Sequence, residues 1–335
     1  MRSKRTSNNG QWSVTVSHWP LVVLCLMLFA GCRHGGEEVR FHRFEQLLFD
    51  TPADRLPAEM LAHEAEYSTE LITIHPRNQE YVEWVQGYVA DPVMRDIYHV
   101  TDSLYHNLSA EERQLGRALR RAYRLCPDMP HVQRFYTLVT GDYDNYDNRV
   151  YTNGRDLCLM LDVYSLDALE RYQCFGLPNH VVRLCTREQI VPDCIRRLAV
   201  NRIAWPDRGQ TLLDYAVAEG KTLYFVEQCL PGLADTTLFR YTGSQLRWMK
   251  QNEKNVWSWL IQNKALYSTD ISLYQNLLGD APHTNAFGSD SAPRTAAYIG
   301  WQIVRTYMKK NRCTMQQLLD ETDSQKILTA SGWRP

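Results

Sequence analysis

The pair Asn153-Gly154 constrains the fold of this chain more than any other local feature. Asn-Gly tolerates the left-handed backbone of a tight two-residue hairpin turn, and here it is flanked by Val150-Tyr151 and the apolar run 157–163. Upstream, Arg134-Phe-Tyr-Thr-Leu-Val-Thr140 is rich in aromatic and β-branched residues, so a small sheet is expected between about residues 132 and 164. Elsewhere the apolar spacing is helical. Phe41, Phe44, Leu47 and Leu48 open a helix near residue 41. Ser109 and Glu112 have capping-box spacing, and Leu115, Ala118, Leu119 and Ala122 form one stripe behind them. That predicts a helix over 110–125, stopped by Pro127 and Pro130. Thr211 and Asp214 start another helix, before Leu213, Ala216 and Val217. Val256, Trp257, Leu260 and Ile261 mark a further stripe, and Ala296, Ile299, Gly300, Ile303 and Tyr307 mark one after Pro293. Thr314 with Gln317 caps a last helix. No internal repeat is visible, and the expected architecture is mainly α with a small β-sheet (α+β).

The N-terminus reads as an address. Arg2, Lys4 and Arg5 precede the apolar run Leu21 to Ala30, with no acid among them. A cationic head, a short apolar core and small residues before a cleavage point describe a secretory signal. A core of about ten residues is too short for a settled membrane span, which needs roughly 20. Leu28-Phe29-Ala30-Gly31-Cys32 resembles a bacterial lipobox, in which the cysteine is acylated and becomes the new N-terminus. Phe29 departs from the leucine usual there. An ordinary signal peptide cut nearby and an uncleaved anchor are the alternatives. The expected organisation is a lipoprotein signal peptide over residues 1–31, a flexible tether over 32–40, and a single mainly helical domain over 41–335.

Without residues 1–31, which hold three cations and no acid, the chain has 34 Lys+Arg against 38 Asp+Glu, a formal charge of −4. That balance exerts no long-range pull on nucleic acid, and no Lys/Arg-rich block compensates, so no nucleic-acid partner is expected. Beyond Cys25 and Cys32, the cysteines at 126, 158, 174, 185, 194, 229 and 313 lack C-x-x-C spacing. They are expected to be mainly buried, apolar thiols.

Candidate chemistry is sparse. A helix-borne zinc site needs two histidines four apart with a glutamate between them, and no such pair occurs. His63-Glu64 comes closest, but Tyr67 stands where the second histidine would be. His99, Asp102 and His106 could share a helical face, more cheaply explained as a solvated surface. Asp142, Asp144 and Asp147 could hold calcium, but a polar loop accounts for them better because the glycine and closing glutamate of a calcium-binding loop are missing. There is no G-x-S-x-G elbow and no glycine-rich phosphate loop. No catalytic residue, metal or cofactor is therefore expected.

A series of segments carries a resemblance. They are Thr211-Leu-Leu-Asp214, Glu219-Gly-Lys-Thr-Leu-Tyr-Phe225, Leu230-Pro231, Tyr241-Thr242, Gln245-Leu246 with Trp248, and Asn252-Glu253 with Val256-Trp257. Leu266-Tyr-Ser-Thr-Asp270, Ala281-Pro282 and Gly300-Trp-Gln-Ile-Val304 with Tyr307-Met308 follow, and Arg43-Phe44 and Leu48-Phe49 lie upstream. In order and spacing they resemble the gliding-motility lipoprotein family GldB of the Bacteroidota. That family in turn resembles helical zinc peptidases, which implies a degenerate zincin-like metallopeptidase scaffold. Glu219-Gly220 stands where the third zinc-ligand segment would be, and the ligand helix would lie in 191–205, which holds no histidine. The resemblance thus implies a pseudoenzyme of the cell envelope, tethered through Cys32 and facing the periplasm from the outer membrane. It would bind other envelope proteins of the motility and type IX secretion apparatus. Glu219, Lys221 and Tyr224 would line the vestigial cleft. Tyr298 and Trp301, off the Ile299/Ile303 stripe, would be partner contacts. Gly300 would allow close helix packing. The alternative is an envelope hydrolase with unusual residues, marked by a cleft of converging ionisable groups with perturbed pKa values. A carbohydrate-binding role rests only on the abundant Trp and Tyr.

Overall fold

The computed structural model describes residues 38–335, without the side chains of 169–175. The signal peptide, Cys32, most of the tether and the Cys174 thiol lie outside the described residues. The chain is mainly helical around a four-stranded mixed sheet, an α+β arrangement. The strands are β1 (Phe41–Arg43), β2 (Arg134–Leu138), β3 (Val150–Thr152) and β4 (Asp156–Met160), in spatial order β1-β2-β4-β3. β1 and β4 run parallel to β2, and β3 is antiparallel to β4.

The first helices are α1 (Phe44–Asp50), α2 (Leu56–Ala62), α3 (Glu64–Tyr67), α4 (Gln79–Ala90), α5 (Pro92–Tyr105) and α6 (Ser109–Leu125). After the sheet, 3-10 turns over Leu161–Phe175 lead into α7 (Asn179–Val182), α8 (Ile190–Arg202), α9 (Leu212–Cys229), α10 (Asp235–Phe239) and α11 (Gly243–Gln262). The chain ends with α12 (Ile271–Leu278), α13 (Thr295–Lys310), α14 (Met315–Asp320) and α15 (Ser324–Ser331).

Strand alternation divides the interior in two, because successive side chains leave opposite faces of a sheet. Phe41, Phe135, Leu157 and Leu159 join one core with residues of α6, α8, α9, α11 and α13. Tyr136, Leu138, Cys158 and Met160 join the other with residues of α1, α2, α4 and α5. A sheet covered on both faces has no solvated side, which accounts for the buried residues throughout β4.

Several local expectations change. Phe41 does not start a helix: 41–43 pair with 135–137, and α1 begins at Phe44. Ser109 and Glu112 do not form a capping box. Leu108 is the N-cap, and the Glu112 carboxylate instead accepts the Phe41 N–H at 2.9 Å. The hairpin forms as expected, but Thr152 pairs with Leu157, so four residues make the turn instead of two. The Asn153 side-chain oxygen there accepts from the Arg155 and Asp156 N–H groups, while Gly154 takes φ +90°. Capping boxes are present at Thr211/Asp214 and Thr314/Gln317, but the helix that Thr314 caps is not the last, since α15 follows it. Cys126, Cys158, Cys185, Cys194 and Cys229 are buried free thiols, and Cys313 is a half-buried one.

Helices α9 and α13 approach unusually closely. A Cβ on Gly300 would lie 1.7 Å from the Ala216 carbonyl oxygen, and one on Gly220 would lie 2.3 Å from Gly300 backbone. Only hydrogen fits at these two positions. The expectation for Gly300 holds, and Gly220 is its unforeseen counterpart.

Candidate functional site

The closely packed α9 carries Glu219 to the wall of a cavity of about 340 Å³. The cavity is built from segments far apart in sequence. Helix α8 supplies Asp193, Arg196 and Arg197, which share a face because they are three and four residues apart. Arg149 comes from the turn before β3, and Asp147 lies beside it. Arg240 follows the last residue of α10, Asp280 follows α12, and Arg294 precedes the first residue of α13.

Asp193 is the hub. It accepts from Arg149 Nε at 2.7 Å, Arg240 Nη2 at 2.5 Å and the Tyr164 hydroxyl at 3.0 Å. Burial opposes its charge, but the Arg149, Arg240 and Arg196 guanidiniums overcome that and hold the carboxyl well below the usual range. Glu219 forms a second node. Its Oε2 accepts from Arg294 Nη2 at 2.6 Å and lies 3.9 Å from Arg196 Nη1. Asp280 lies 3.8 Å from Arg294 Nε. Burial acts against the Asp280 charge, but Arg294 and Arg240 prevail and lower its pKa. Asp147 moves the other way, raised by burial and by the nearby Asp280 charge. Burial and the facing Arg240 and Arg294 cations pull Arg196 down to about 9.

The five guanidiniums, at 149, 196, 197, 240 and 294, outnumber the four carboxylates at 147, 193, 219 and 280 by one. Several guanidinium atoms are also unspent. Arg149 Nη2, Arg196 Nε and Nη1, and Arg240 Nε are buried without a hydrogen-bond partner among the described residues. Arg240 and Arg294 further hold left-handed backbone, with φ of 58° and 51°. Such a conformation costs a non-glycine residue roughly 1–3 kcal/mol and persists where the surroundings require it.

Of the residues singled out from sequence, Glu219 and Asp147 line this cavity, and Lys221 and Tyr224 do not. Lys221 lies about 200° further round α9. Its Nζ donates to the Glu321 carbonyl at 2.5 Å, and burial draws it down to about 8. Tyr224 is half-buried against the core, with its pKa raised by burial and by Glu227. The three therefore do not share a cleft. Tyr298 and Trp301 are not exposed, as their place off the stripe suggested, but only 3% and 5% accessible. Every residue of α13 from Thr295 to Trp301 is buried, so the one-sided stripe assumed for a surface helix does not apply. Both rings pack on Phe239, and Trp301 Nε1 donates to Glu227 at 3.1 Å under the Arg305 guanidinium. Asp102 accepts from Gln46 at 2.8 Å, while His106 beside it is exposed. Among the described residues, no three His, Cys, Asp or Glu side chains gather in a metal-holding arrangement.

The arginines went unnoticed in the sequence. One signal was available: α8 reads Ile-Val-Pro-Asp-Cys-Ile-Arg-Arg-Leu-Ala over 190–199, with charge set into an otherwise apolar helix.

Fold and site together define an α+β protein with a largely buried arginine–carboxylate network. A family model described as gliding motility protein GldB matches residues 34–335. The chain belongs to that family, which makes it a gliding-motility-related lipoprotein associated with the cell envelope. No curated protein and no solved structure matches it. Among the described residues, no helix is long and apolar enough to cross a membrane.

Proposed function

We propose that this protein is a non-catalytic envelope lipoprotein, anchored by lipid on Cys32, that serves gliding motility and type IX secretion by binding other envelope proteins. It faces the periplasm, from the outer membrane. The body is a degenerate zincin-like scaffold in which α8 corresponds to the ligand helix and Glu219-Gly220 on α9 to the third-ligand segment. One observation carries this reading: Glu219 is engaged by the Arg294 guanidinium, with Arg196 of α8 3.9 Å from the same carboxylate oxygen. Where a zincin would present imidazoles to a cation, this chain presents cations to the carboxylate. A metal ion would be repelled by them.

Two measurements test the reading. Metal analysis of the purified full-length protein is expected to find no stoichiometric zinc, and one zinc per chain would sink it. Deletion of the gene is expected to impair motility or protein export, and unchanged export and motility would count equally against it.

A specific observation favours a second reading, an envelope hydrolase. The cavity is not filled by apolar side chains, and it gathers ionisable groups with perturbed pKa values. Burial and the charges of the network's own members account for those shifts, which is why this reading comes second. Assays on envelope peptides and glycans with wild type and Glu219→Gln separate the two. Turnover by wild type that the variant loses would establish the hydrolase.

A further inference from the structure

We propose that the cavity walled by Arg149, Arg196, Arg240 and Arg294 binds a phosphate group. The inference goes beyond both functional readings and holds under either. It starts from the donors left over after the internal ion pairs are made. Asp193 uses one nitrogen of Arg149 and one of Arg240, and Glu219 uses one of Arg294. Buried N–H groups on Arg149, Arg196 and Arg240 remain without acceptors among the described residues. Arg149 is only 2% exposed. Native interiors rarely leave such groups unpaired without a ligand or ordered water to satisfy them.

Charge distinguishes those two. Water supplies acceptors but does not neutralise the surplus guanidinium. An anion does both. Arg196 carries part of the surplus, since the charges near it include Arg240 and Arg294, and its contact with Glu219 is a distant 3.9 Å. An anion seated against Arg196 converts that repulsion into attraction.

Shape then selects among anions. The spare donors come from three arginines on three segments, so they do not form one planar fork. A planar carboxylate is matched best by one such fork. A tetrahedral phosphate presents oxygens in several planes and suits donors arriving from different walls. The volume of about 340 Å³ exceeds what a bare phosphate needs, leaving room for a small attached group. The left-handed backbone at Arg240 and Arg294 agrees with a site that needs these two side chains in place.

The chemistry has two sources, free phosphate and the phosphate of a lipid headgroup. Calorimetric titration of the full-length protein, in detergent at constant ionic strength, compares inorganic phosphate, sn-glycerol 3-phosphate as the soluble stub of a headgroup, and acetate. The expected result is saturable binding of at least one phosphate compound, at least tenfold tighter than acetate. Tighter binding of glycerol 3-phosphate assigns the headgroup source, and tighter binding of inorganic phosphate assigns the free ion. Arg196→Met is expected to weaken binding at least tenfold while keeping or raising the melting temperature in chloride, because it removes a crowded cation. Absence of binding by both phosphate compounds, acetate binding as tightly as phosphate, or undiminished binding by Arg196→Met would each overturn the proposal. The wild-type titration decides the matter if the variant fails to fold.

Discussion

Asp193 joins two arginines that would otherwise be stranded in the interior. A buried ion pair adds little net stability over apolar packing, but removing one partner leaves an uncompensated charge. Asp193→Ala is therefore expected to cost about 3–5 kcal/mol, read from denaturant midpoints at pH 7. A loss below about 1 kcal/mol would show that the network is not buried as described. Asp162 makes a pH-dependent case. It is fully buried, and burial raises its pKa to about 6 despite an accepted hydrogen bond from the Gly141 N–H at 2.9 Å. The folded state then holds the proton more tightly than the unfolded chain, whose aspartate titrates near 4. The contribution is fully present below pH 4 and is lost as pH rises through 6, a change of about 3 kcal/mol at ~1.4 kcal/mol per unit. Asp162→Asn keeps an acceptor and has no such titration. The stability of the variant relative to wild type should climb between pH 4 and 6 and then level off, and a flat difference would refute the account.

At the scale of elements, α9 and α13 are held together by the absence of two side chains. Gly300→Ala places its Cβ 1.7 Å from the Ala216 oxygen, so the helices must part. Overpacking of this kind costs about 1–3 kcal/mol, more where backbone is the obstacle. The expectation is a loss of at least 2 kcal/mol by denaturant unfolding, against under 1 kcal/mol for Gly87→Ala, whose Cβ meets nothing within 4 Å. Equal effects would mean that the close approach is not real. The same scale explains what could be read in advance. Thr211/Asp214 and Thr314/Gln317 announce their helices because a capping box is complete within four residues. Strand β1 could not be read: three residues carry no period of their own, and their partners lie more than ninety positions away. The cavity escaped for a similar reason. Arg149, Arg196, Arg240 and Arg294 are scattered, and apart from Arg196 in its apolar helix each taken alone resembles a surface cation. Tyr298 and Trp301 are buried against expectation because both rings pack on Phe239, which only the assembled fold brings beside them.

For the whole molecule, the prediction concerns attachment. Cys32→Ala is expected to abolish incorporation of labelled fatty acid and to move the protein from the detergent phase to the aqueous phase on phase separation. Retention of label would place the acylated residue elsewhere.

Strand β1 gives that attachment a mechanical meaning. The described chain begins three residues before β1, which lies parallel to β2 with Phe41 against Phe135. If the anchor is at Cys32, any drag between the membrane and a partner gripping the body enters the fold here. A pull along the strand axis loads the β1–β2 hydrogen bonds together, in shear, instead of peeling them one by one. The sheet is then the load-bearing beam of the protein, and the short strand at its edge is its mechanical fuse.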